Sequence, residues 1–68
     1  MLMISTHDGV SMVHDDTAGR LAWDDLLRRQ YWCSVNVGAS GSGLWDYRGG
    51  DWFFVNREDA MMFMMVWA

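Results

Sequence analysis

At 68 residues the chain has room for one domain, spanning 1–68, and burying only about 60% of the surface of its unfolded form leaves its stability slim. A lone cysteine, Cys33, excludes an internal disulfide, so with five Trp and 51% hydrophobic residues the stability is expected to come from aromatic burial. A net charge of −4, with every basic residue an Arg dispersed among Asp, argues against the basic stripe that nucleic-acid binding requires.

Met1 to Ser5 reads as a strand. Asp8-Gly9 before Val10-Ser11-Met12-Val13 reads as the turn of a hairpin, because those residue types tolerate the positive φ of a tight turn. Asp15, Asp16 and Thr17 then offer N-cap oxygens to a helix covering approximately Ala18 to Cys33. At about 100° per residue, Ala22, Trp23, Leu26, Leu27 and Cys33 gather on one side as the expected core face, with Arg20, Asp24 and Arg28 opposite. Asp24 with Arg28 and Asp25 with Arg29 are spaced as i,i+4 ion pairs in the better orientation. From Gly38 to Gly43 the chain reads as a flexible glycine-serine connector. Its G-x-x-G-x-G spacing, with no Lys-Ser/Thr after it, meets neither the phosphate-loop nor the dinucleotide-binding pattern.

Leu44 to Asn56 carries the most information. Gly49-Gly50 is a two-residue hairpin signal that sets a register: Arg48 opposite Asp51, Tyr47 opposite Trp52, Asp46 opposite Phe53, Trp45 opposite Phe54 and Leu44 opposite Val55. Opposed residues share a sheet face and successive residues alternate, so Trp45, Tyr47, Trp52 and Phe54 make one wholly aromatic face, expected to point inward. The other face holds Leu44, Asp46, Arg48, Asp51, Phe53 and Val55, apolar at its open end and charged at the turn.

Asn56 is placed to cap a second helix, with Glu58 and Asp59 in the first turn where the helix dipole favours negative charge. Ala60-Met61-Met62-Phe63-Met64 continues it, and Met65-Val66-Trp67 either prolongs the helix or returns as a short edge strand. Met61, Met62, Met64 and Met65 suit either a core or an adaptable binding surface, and because so small a domain needs every apolar residue it has, the core reading is preferred. The fold class expected is α+β: a small antiparallel sheet with two helices on one face, of the split βαβ, ferredoxin-like type, with room for an extra N-terminal hairpin.

Trp32-Cys33, Asn36-Val37-Gly38, Trp45-Asp46-Tyr47, Trp52-Phe53-Phe54, Glu58-Asp59-Ala60, Phe63 and Trp67 together form a pattern over about the last 37 residues. In it the chain resembles small tailed-bacteriophage proteins of no assigned activity. That resemblance implies a Trp-rich hairpin, an acidic-capped helix, a terminal apolar strand containing Trp, and a phage source. Met64 and Met65 depart from the Lys- or Arg-containing ending of that pattern.

Chemistry is sparse. His7-Asp8 and His14-Asp15-Asp16 are the residues with metal-ligand character, but hairpin pairing around Asp8-Gly9 sets the two histidines apart, and turn and capping roles account for them. Cys33 on a buried helix face reads as a small core hydrophobe and not a nucleophile. No catalytic residue, metal ligand or cofactor is therefore expected, and the chain is read as a non-enzyme. Met1-Leu2-Met3-Ile4 is too short for a signal-peptide core, and the apolar tail from Ala60 falls short of the roughly 20 residues that span a bilayer, so no membrane association is expected.

The leading reading is a small acidic, soluble protein-binding accessory module, phage-encoded, that occupies a surface of a host or viral protein in the host cytoplasm. Its partner-binding residues are Leu44, Asp46, Arg48, Asp51, Phe53 and Val55, an apolar patch with a charged rim. The alternatives are a structural virion component or a self-assembling homo-oligomer using the same patch, and third a small metal-dependent enzyme.

Overall fold

A computed structural model describes residues 2–15 and 23–67. The element order is β1 (Leu2–His7), β2 (Val10–Asp15), α1 (Trp23–Asn36), β3 (Trp45–Arg48), β4 (Asp51–Phe54) and α2 (Arg57–Trp67). The four strands form one antiparallel sheet in the order β1-β2-β4-β3, so the fold is α+β. Both hairpin turns have the paired positive φ values that match the twist of the strands they join: Asp8 and Gly9 at 53° and 81°, Gly49 and Gly50 at 55° and 94°.

Alternation puts Val13, Trp52 and Phe54 on one face, where all three are buried. Trp45 and Tyr47 flank them, half-buried, with ring centroids 6.4 and 4.5 Å from Trp52. Both helices deliver their buried residues to this face, Cys33 from α1 and Ala60 and Phe63 from α2. Phe63 is the hub: its ring lies 4.9 Å from Trp52, 5.4 Å from Phe54 and 5.9 Å from Trp32, the last edge-on. The inward aromatic face read from the sequence is therefore the core, in the register read from Gly49-Gly50.

Several expectations are corrected. Both N-terminal strands run two residues further than expected, and Asp15, one of the proposed caps, is the last residue of β2. The other proposed caps, Asp16 and Thr17, lie outside the described residues, as do Ala18, Arg20 and Ala22. Helix α1 continues past Cys33 to Asn36. Of its expected core face, Cys33 is buried and Leu26 packs on the core, but Trp23 is 69% exposed and Leu27 is exposed as well. The face that packs runs through Leu26, Trp32, Cys33 and the following Val37. Asp25 meets Arg28 at 3.8 Å, while the Arg29 guanidinium stands 5.5 Å over the Trp67 ring.

The glycine-rich connector is tied down and not loose. The Cys33 carbonyl accepts from the N–H of Val37 and of Gly38, Ala39 accepts from Ser42 N–H, and the Trp45 indole donates to the Gly38 carbonyl at 2.6 Å. At the other end of the sheet, Met65, Val66 and Trp67 prolong α2 and do not return as a strand. Of the tail methionines read as core, Met64 packs on it, but Met61 and Met62 are exposed and Met65 is 82% exposed. An eleven-residue helix can turn only one stripe inward, and Ala60, Phe63, Met64 and Trp67 occupy it.

Candidate functional site

The sheet face away from the helices is ordered by the same register. Met3, His14, Asp51 and Arg48 form one row across the strands, and Ser5, Met12, Phe53 and Asp46 the next. Beyond them Leu44 and Val55 continue the hairpin, the Val55 N–H donating to the Leu44 carbonyl at 3.1 Å. A groove of about 470 Å³ opens here, walled by Val10, Leu44, Phe53 and Val55 and edged by Asp46 and Arg48. Leu44, Asp46, Arg48, Phe53 and Val55, all singled out from sequence, thus share one concavity.

Asp51 stands apart. It lies in the neighbouring row and pairs with His14, whose Nδ1 is 2.5 Å from its Oδ1. Sequence reasoning missed both His14 and Val10 as parts of this face. The signal lies in β2, whose alternation puts Val10, Met12 and His14 on the side opposite Val13, but its pairing with β4 is not written in any turn.

The rim is pre-ordered. Arg48 Nε donates to Asp46 Oδ2 at 2.8 Å, and the backbone N–H of Tyr47 donates to Asp46 Oδ1 at the same distance. The Arg48 hydrogen bond first, and the Tyr47 N–H second, hold the Asp46 carboxyl below its ordinary value of 3.8. Both side chains are exposed, so the pair contributes little stability and serves to fix the charge positions at the groove mouth.

The residues with metal or nucleophilic character are not assembled here. His7 pairs with Val10 beside the turn, whereas His14 pairs with Met3 near the other end of the hairpin. Among the described residues, no group of three or more His, Cys, Asp or Glu is placed to hold a metal. Cys33 is buried, and that burial, with a smaller contribution from the Asp59 carboxylate, pushes its thiol up to about 12. A thiol held there is protonated at neutral pH and is a poor nucleophile. No helix among the described residues is long and apolar enough to cross a membrane. Compared with protein-family models, curated proteins and solved structures, the chain matches none.

Proposed function

We propose that the chain is a small protein-binding module that works by covering a surface of another protein with its outer sheet face. One observation carries the reading: an open groove walled by exposed Val10, Leu44 and Val55 and by Phe53, with Asp46 and Arg48 locked together at its mouth. Apolar walls supply the driving force for association, and fixed charges of both signs at the rim select the orientation of a partner. The resemblance of the second half to tailed-phage proteins supports a phage source, and with it a host or viral protein as the partner and the host cytoplasm as the place of action. We also propose that β2, α1 and β3, with β4 lodged between the two strands, are a split βαβ unit of the ferredoxin-like kind. In it β1 takes the sheet position that a strand after α2 would otherwise fill.

Replacing Phe53 with Asp tests the docking face. Its side chain lies in the groove wall and outside the aromatic core, so the variant is expected to keep the parent's circular dichroism and melting temperature. It is expected to lose the protein that the parent retains from a lysate of the natural host. An F53D chain that retains the same protein removes the docking face, and one that unfolds shows that Phe53 belongs to the core.

A further inference from the structure

The two edges of the sheet are treated differently. At one edge, β3 is four residues long, carries Asp46 and Arg48, and has the Tyr47 N–H occupied by the Asp46 carboxylate at 2.8 Å. Short length, charge and a capped donor are the devices by which an edge strand is kept from pairing. At the other edge, β1 has none of them. It runs six residues, Leu2-Met3-Ile4-Ser5-Thr6-His7, pairs with β2 without a bulge, and holds no Asp, Glu, Lys, Arg, Pro or Gly. Among the described residues β1 has a strand on one side only, so a row of its N–H and C=O groups points away from the sheet.

A second observation lies on the same flank. Helix α2 packs across β1, β2 and β4, and its side away from the core exposes Met61, Met62, Met65 and Val66. We infer that the chain forms a two-fold homodimer in which β1 pairs antiparallel with β1 of a second copy and the two α2 helices meet above the seam. An antiparallel strand is complementary to its own copy, because a two-fold axis normal to the sheet brings each outward N–H opposite a C=O. That axis also keeps both cores on one side of a continuous sheet of eight strands, twice the four of each copy. A standard interface takes roughly 800 Å² from each partner, about a sixth of the 4525 Å² this chain exposes, and the β1 edge with the exposed Met61, Met62, Met65 and Val66 is the surface that would contribute to it. Two copies at −4 repel each other, but no Asp, Glu, Lys or Arg lies in the strand that pairs, so salt screens the repulsion and strengthens the dimer.

The test uses the full chain. Sedimentation at micromolar concentration is expected to give a dimer that tightens with added salt, and hydrogen exchange to show alternate β1 amides protected only as the dimer forms. Met3→Lys on the edge and Met62→Glu on α2 both alter exposed side chains, and each is expected to weaken dimerisation by about tenfold or more. If Met3→Lys disturbs the fold, Met62→Glu carries the comparison alone. F53D is expected to stay dimeric, so failure of the docking face and failure of the dimer are read separately. A parent that sediments as a monomer throughout, or a dimer whose β1 amides exchange as in the monomer, overturns the inference.

Discussion

Cys33 shows what burial does to a single group in a domain this small. Its side chain has no solvent exposure, and loss of hydration for the thiolate raises the thiol from 9.0 to about 12. The sign of the linkage follows. A group whose folded value is raised favours the folded state below its unfolded value, and that advantage is lost as pH rises from 9.0 towards about 12. Between those limits the thiol is expected to lower stability by up to about 1.4 kcal/mol per pH unit, and Cys33→Ala to flatten that alkaline slope. Urea denaturation at a series of alkaline pH values measures it, and equal slopes for parent and variant would remove the assignment. At neutral pH a thiol reagent should modify the folded chain only as fast as it opens. Asp46 has the opposite sign: its depressed carboxyl favours folding above its ordinary 3.8 and ceases to do so as pH falls through its lower folded value.

The connector between α1 and β3 is where an element's role departs most from its composition. A Cβ at Gly38 would stand 2.8 Å from Leu44 Cδ1 and 2.9 Å from Ser42 Oγ, and the same residue's carbonyl receives the Trp45 indole. Both close atoms are the free ends of exposed side chains that can turn aside, so Gly38→Ala is expected to cost no more than about 1 kcal/mol, the strain of moving Leu44 and Ser42 off their present rotamers. Ser42→Ala in the same chain should recover part of it, and thermal melts of the two variants decide whether the loop is fastened there. Glycine and serine read as looseness because the partners that fasten them, Trp45 and Leu44, are supplied by tertiary contact. The β3–β4 hairpin was legible because Gly49-Gly50 fixes its register and alternation then assigns every side chain to a face. That gave the aromatic core and most of the groove wall. The neighbours of that hairpin were not legible, since nothing local states that β2 lies beside β4, and so His14 and Val10 were missed. The inward stripe of α1 was blurred for a related reason: Trp23 and Leu27 are as hydrophobic as Leu26, and only docking separates them. Met61, Met62 and Met65 of α2 are read as core from the sequence but stand exposed, because a continuous apolar run has no periodicity from which to choose the buried side.

For the whole molecule the question is whether sheet and helices can come apart independently. Among the described residues the buried cluster is six residues, drawn from β2, β4 and both helices, and Phe63 touches aromatic rings of α1, β4 and its own helix. Among the described residues, a core so concentrated leaves no second buried cluster to hold the fold once Phe63 is lost. Stabilities of about 0.05–0.15 kcal/mol per residue place a chain of 68 residues at roughly 3–10 kcal/mol, and Phe→Ala in a core costs about 3–5 kcal/mol. Phe63→Ala is therefore expected to lose most of the folded population, with strand and helix signals disappearing together. Phe63→Leu, which fills more of the space, should cost less and leave a cooperative transition shifted to lower urea. Circular dichroism and the fluorescence of the five Trp report on backbone and core separately. Coincident transitions in parent and Phe63→Leu are the expected result. An F63A chain that retains its strand signal with a disordered tail would show instead that the sheet is stable without the helix, and that α2 is an appendage to it.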